Sequence, residues 1–127
     1  MLQKRIYIID DDPIYQLVTK KLIEKTNLFN ESKSFGNGSE ALYYFGTTGD
    51  IPDIILLDIE MPQMDGWDFL SELFRIEEHF HKEATIYIAS SSIAIEDKMK
   101  AKNYPCVKDF LSKPMNLEKL TAIAVAE

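Results

Sequence analysis

Four short apolar runs constrain this chain most, because each one stops on residues that carry charge or a hydroxyl. Ile6-Tyr7-Ile8-Ile9 runs into Asp10, Asp11 and Asp12, and Ile54-Ile55-Leu56-Leu57 into Asp58. Ile86-Tyr87-Ile88-Ala89 ends on Ser90 and Ser91, and the run from Cys106 to Leu111 leads to Lys113-Pro114. Short β-rich runs of this kind read as buried strands of a parallel sheet. Ligands of open α/β sheets sit just beyond the carboxyl ends of the strands. The acids, the hydroxyl and the amine therefore fall at one edge and are expected to meet in one site.

Helical patterns separate the runs. Residues 4–10 give the first strand, and Asp12-Pro13 reads as an N-cap with proline at the first helical position. Ile14, Leu17, Val18 and Leu22 supply an apolar stripe to about Thr26. Residues 31–35 are a weaker strand, followed by a Gly36-Asn37-Gly38 turn, a short helix from Ser39 to about Phe45, and a polar loop from Gly46 to Pro52. Residues 53–58 form the most apolar strand. Asp65-Gly66 precedes a helix with Trp67, Leu70, Leu73 and Phe74 inward. Residues 84–89, a charged helix from Ile93 to Ala101, residues 106–110 and a last helix capped by Asn116 complete the series. Strands and helices alternate five times, which predicts a doubly wound α/β domain with right-handed crossovers. No repeat or linker breaks residues 1–127, so a single domain is expected.

The formal net charge of −7 argues against nonspecific binding to nucleic acid or anionic membrane. One cysteine, Cys106, excludes an internal disulfide framework and fits a reducing cytoplasm. No apolar stretch approaches the length of a membrane span, and the start reads as strand rather than signal peptide.

Asp10, Asp11 and Asp58 would place three carboxylates close together. They repel one another unless a hard divalent ion joins them, and Mg²⁺ favours such a set with water and a phosphate oxygen, Mn²⁺ being the alternative. The plain alternative, that these acids only cap a helix, suits Asp12 best. A carboxylate can attack phosphorus to give an acyl phosphate, and the transfer needs mainly charge neutralisation on the equatorial oxygens. Asp58 is the candidate acceptor, with Mg²⁺, the Lys113 ammonium and the Ser90 hydroxyl each available to one oxygen.

Ile-Ile-Asp-Asp-Asp-Pro (8–13), Leu-Leu-Asp-Ile-Glu-Met-Pro-Gln-Met-Asp-Gly (56–66), Ser-Ser-Ser (90–92) and Lys-Pro (113–114), taken together, resemble the receiver domain of bacterial two-component response regulators. The resemblance runs from Lys4 to about Ala126. It implies a flavodoxin-like fold: a five-stranded parallel sheet in order 2-1-3-4-5 with helices on both faces. It implies phospho-acceptance at Asp58 and Mg²⁺ held by Asp10, Asp11, Asp58 and the Glu60 backbone carbonyl. Ser90 would be the switch hydroxyl and Lys113 the phosphate-binding lysine, with a Lys-Pro bond that is often cis in the family. The implied donor is a phosphohistidine on a sensor histidine kinase or phosphotransfer protein. An unidentified downstream protein would bind the face formed by helix four, strand five and helix five, where Ile93, Ile95, Tyr104, Pro105 and Phe110 are candidate contacts. The expected protein is a cytoplasmic, stand-alone receiver that catalyses only its own phosphorylation and dephosphorylation.

The chain departs from the family pattern in places. Phe110 stands where an aromatic switch is often tyrosine, Ser91 where alanine is common, and Glu60 and Ser92 at positions thought to tune hydrolysis. His79 and His81 are too close in sequence to share a helical face and read as exposed. Cys106 reads as a small hydrophobe within the last strand, and Trp67 and Tyr43-Tyr44 as packing residues. Gly36-x-Gly38 lacks the third glycine of a dinucleotide fingerprint. The competing functions are a phosphate-independent interaction module on the same fold, and an aspartate-nucleophile phosphohydrolase, for which Glu60 has the right spacing but no cap domain is visible. A nucleotide-binding flavodoxin relative would need a phosphate loop where three aspartates stand.

Overall fold

The computed structural model describes residues 3–76, 83–91 and 94–126. His79, His81, Ser92 and Ile93 lie outside these residues. The described elements are β1 (Lys4–Ile9), α1 (Pro13–Thr26), β2 (Phe29–Phe35), α2 (Gly38–Thr48), β3 (Ile54–Leu57), α3 (Gly66–Ile76), β4 (Thr85–Ser90), α4 (Ile95–Lys100), β5 (Val107–Ser112) and α5 (Leu117–Val125). The strands form one parallel sheet in the order β2-β1-β3-β4-β5, as the sequence implied. β1 and β3 pair from Ile6 with Ile54 to Ile9 with Leu57, and β4 and β5 end level at Ser90 and Ser112. This register brings Asp10, Asp58 and Lys113 to one edge.

Alternation along the strands divides the core in two. Tyr7, Ile9, Ile55, Leu57, Ile86 and Ile88 face α2 and α3, where Phe45, Phe69, Leu70 and Leu73 cover them. Ile6, Ile8, Ile54, Leu56 and Tyr87 face α1 and α5, covered by Ile23, Leu120 and Ile123. Both faces of β1, β3 and most of β4 are therefore dry, which is why these strands read as unbroken apolar runs. β2 and β5 sit at the edges and mix exposed with half-buried residues.

Three sequence expectations change. α2 runs on to Thr48 instead of stopping near Phe45. Gly46 is tolerated within the helix, and the stop is Gly49, whose φ of +68° closes it in the left-handed region. Cys106 is buried but precedes β5 rather than lying in it. In α1 the apolar stripe is not the buried face: Ile14 is 73% exposed, and Leu17 and Val18 are also exposed. Thr19 and Ile23 are buried instead, with Tyr15 and Leu22 packed beside them. The Asp12 cap sets this register, since its carboxylate accepts the Ile14 and Tyr15 N–H groups at 2.9 and 3.2 Å.

Candidate functional site at the carboxyl edge of the sheet

Each strand end is fixed by backbone pairing before its side chain is placed. The Asp10 N–H donates to Phe35 O, the Asp58 N–H to Ile9 O, and the Lys113 N–H to Ser90 O, all near 3 Å. Gln16 of α1 reaches back so that its amide donates to the carbonyls of both Asp10 and Phe35, at 2.6 and 2.7 Å. No motif marks this glutamine, although it binds the acid edge to α1. The turn after Asp58 is equally constrained. Asp65 and Asp68 form a reciprocal cap at the start of α3. A Cβ on Gly66 would lie 2.8 Å from Ile59 Cα and 2.9 Å from Asp58 O, so only glycine lets α3 approach the Asp58 backbone this closely.

The result is a compact acid pocket. Asp10, Asp11 and Asp58 offer oxygens that all lie within 4.8 Å of one another. Asp10 and Asp58 are buried and Asp11 is exposed, so the pocket opens to solvent on one side. Lys113 Nζ lies 2.6 Å from Asp10 Oδ2 and 3.5 Å from Asp58 Oδ2. Asp10 Oδ2 has this ion pair but no aligned hydrogen bond. Asp58 Oδ1 accepts the Glu60 N–H at 3.0 Å. Burial pushes the Asp58 carboxyl up to about 6, opposed by the Glu60 N–H and Lys113 and reinforced by Asp10 and Asp11. Burial alone would lower the Lys113 ammonium, but the close contact with Asp10 and the charges of Asp10 and Asp58 outweigh it and hold it above its ordinary value. One lysine thus faces three carboxylates, a donor set of hard oxygens short of positive charge, which fits a hard divalent cation.

Ser90 is buried at the end of β4, and the Lys113–Pro114 peptide that follows β5 is cis. Lys119 of α5 donates to the carbonyls of Ser112 and Pro114 at 2.6 and 3.1 Å and pins that loop, a role its sequence position did not reveal. Asp12 caps α1 and lies outside the acid cluster. Glu60 is exposed beside Asp58, and Phe110 is half-buried on β5 opposite Ile88. Trp67 is buried, stacks on Tyr104 with ring centres 5.5 Å apart, and donates its indole N–H to Asp97 of α4 at 3.1 Å. Ile95 and Met99 of α4 are 75% and 61% exposed. The Cys106 thiol, pushed up to about 11 by burial, is no nucleophile at neutral pH.

Comparisons with known proteins give the family. The family model of the response regulator receiver domain matches residues 6–125, and the chain belongs to that family. It is 31% identical, over its whole length, to a protein-glutamate methylesterase/protein-glutamine glutaminase of Syntrophomonas wolfei, of which it spans 34%. Among solved structures it is similar to a two-component response regulator of Cytophaga hutchinsonii, with 25% identity, a TM-score of 0.86, and coverage of 99% of this chain and all of that one. A response regulator receiver protein of Dyadobacter fermentans gives 26% identity and a TM-score of 0.80, with 94% and 93% covered. Receiver domains act in two-component phosphorelay signalling, interact with histidine kinases or phosphotransfer proteins, and generally bind Mg²⁺ at an acid pocket. Among the described residues no helix is long and apolar enough to cross a membrane.

Proposed function

We propose that this chain is a phosphorelay receiver, a single domain over residues 1–127 that takes a phosphoryl group on Asp58 from a phosphohistidine. The observation that carries the reading is the buried Asp58 carboxylate, held with Asp10 and Asp11 within 4.8 Å and faced by Lys113. Asp10, Asp11, Asp58 and the Glu60 backbone carbonyl would hold Mg²⁺. When bound, that ion neutralises one equatorial oxygen and relieves the repulsion among the acids. The Glu60 N–H and Lys113 orient Asp58. One carboxylate oxygen forms the bond to phosphorus as the bond to the donor imidazole nitrogen breaks. Lys113 then turns from Asp10 to the phosphoryl oxygens, and the Ser90 hydroxyl donates to another.

The signal leaves through Ser90. As its hydroxyl is drawn to the phosphoryl group, the space it vacates admits the Phe110 ring, a shift between two existing states. Phe110 has no hydroxyl to lock either position. The face altered is α4–β5–α5, where Ile95, Tyr104 and Pro105 await a downstream protein. Glu60, exposed beside Asp58, would tune hydrolysis by its charge near the attacking water, and Ser92 is the second tuning position that the family resemblance implies. The chemistry would run in the cytoplasm, the usual setting of response regulators.

Incubation with Mg²⁺ and acetyl phosphate, followed by intact mass, tests the reading. A phosphoryl adduct that requires Mg²⁺ and vanishes in Asp58→Asn is expected. No adduct, under conditions that label another receiver, would make the chain a phosphate-independent interaction module. The switch fails as described if Ser90→Ala leaves the phosphorylation-induced change at α4 intact.

A further inference from the structure

The carboxylates, Ser90 and Lys113 account for the proposed chemistry and leave Tyr15 unused. This residue stands in the first turn of α1, its N–H accepted by the Asp12 cap, with its ring beside Lys113. The ring is half-buried against the Ile6 and Ile8 side of the core. Lys113 Nζ lies 4.3 Å from the ring centre while remaining 2.6 Å from Asp10 and 3.5 Å from Asp58. A cation over an aromatic face is held by the ring quadrupole, the more firmly as water is excluded. The Tyr15 hydroxyl is buried next to the Thr19 hydroxyl one turn further on, and neither makes a well-aligned hydrogen bond. The useful part of this tyrosine is therefore its ring. The phenol is neutral at neutral pH, and burial raises it further above its ordinary value.

We propose that Tyr15 is a positioning residue for Lys113, its ring face holding the ammonium over the acid pocket. Asp10 is also a candidate cation ligand, so its hold on the lysine weakens whenever it turns to a cation. The ring has no competing duty and keeps the ammonium in reach of the oxygens on Asp58. The geometry stands by itself; its consequence for labelling rests on the Asp58 reading.

Tyr15→Phe keeps the ring and removes the hydroxyl, while Tyr15→Leu removes the ring. Two readouts separate the outcomes. One is the chemical shift of the Lys113 ε-methylene in lysine-labelled protein with and without Mg²⁺, which reports the ring current. The other is the initial rate of Asp58 labelling by acetyl phosphate at fixed Mg²⁺. Tyr15→Leu is expected to lose the ring-current shift and to slow labelling on the order of tenfold, and Tyr15→Phe to retain both. Labelling by Tyr15→Leu at the wild-type rate, or Tyr15→Phe as slow as Tyr15→Leu, overturns the inference. If the wild type takes up no phosphoryl group, the Asp58 reading falls and the shift alone decides. A shift lost in Tyr15→Leu and kept in Tyr15→Phe then supports the placement, and one unchanged in Tyr15→Leu refutes it.

Discussion

A carboxylate stands at each end of the sheet, half-buried at one and buried at the other, and the two are treated in opposite ways. Asp50, in the loop before β3, accepts with both oxygens from Arg5 Nη2 at 2.7 Å and also accepts the hydroxyls of Tyr7 and Tyr44. Burial would raise this carboxyl, but those donors outweigh it and hold it down at about 2. Asp58, at the other end, shares one lysine with two further acids and is pushed up to about 6. The first acid is satisfied by residues of the chain and fastens β1 to the α2–β3 loop. The second is left short of cations, so that binding something from solution completes it. Stability and function are thus assigned to opposite ends of the same strands.

The largest effect is expected at the satisfied end. Asp50→Ala removes the acceptor shared by Arg5, Tyr7 and Tyr44 and should cost roughly 3 kcal/mol in urea unfolding, with labelling at Asp58 unchanged in the folded protein. A loss of labelling in parallel would show the two ends to be coupled. Next is Lys113→Ala, which should slow acetyl phosphate labelling roughly a hundredfold, as loss of one charge-stabilising donor does, and should also destabilise the metal-free protein, because buried Asp10 and Asp58 lose the cation beside them. Third is Asp58→Asn, which relieves the crowding and should stabilise the metal-free protein by about 1–2 kcal/mol at pH 7.5.

The pH dependence of that third effect follows from the two shifts. The Asp50 contribution is fully present above its ordinary range near 3.8 and is lost as pH falls toward 2. Asp58 is raised, so the native state favours its protonated form. Stability falls as pH rises from about 4 to 6, and the cost stays in place above 6. Melts of wild type minus Asp58→Asn across pH 4–7 should show this slope, and a flat difference would refute the crowding. The smallest effect is that of Mg²⁺ itself: at ten times its dissociation constant it should stabilise the wild type by about 1.4 kcal/mol. Asp11→Asn should move that response to higher Mg²⁺.

What the sequence discloses follows the same physics. The two core faces make β1, β3 and β4 continuous apolar runs, and the motif acids follow directly because strand ends in register share an edge. Edge strand β2, with Asn30, Glu31, Lys33 and Ser34 in its span, has no such run to announce it. The α1 stripe misleads because composition does not say which apolar face meets the sheet. The Asp12 cap decides it and leaves Ile14, Leu17 and Val18 in solvent. Gly46 looks like a break because glycine weakens a helix, yet the chain turns only at Gly49, where a positive φ is required. Arg5 with Asp50 and Tyr15 with Lys113 are partners far apart in the chain, and no spacing rule links them.

Trp67 is the only tryptophan in the chain, and its indole N–H is held by Asp97 of α4. Any displacement of α4 must break or lengthen that bond and change the water and charge around the ring. The ultraviolet emission of the unlabelled protein therefore carries an intrinsic record of where α4 sits, with no other indole to dilute it.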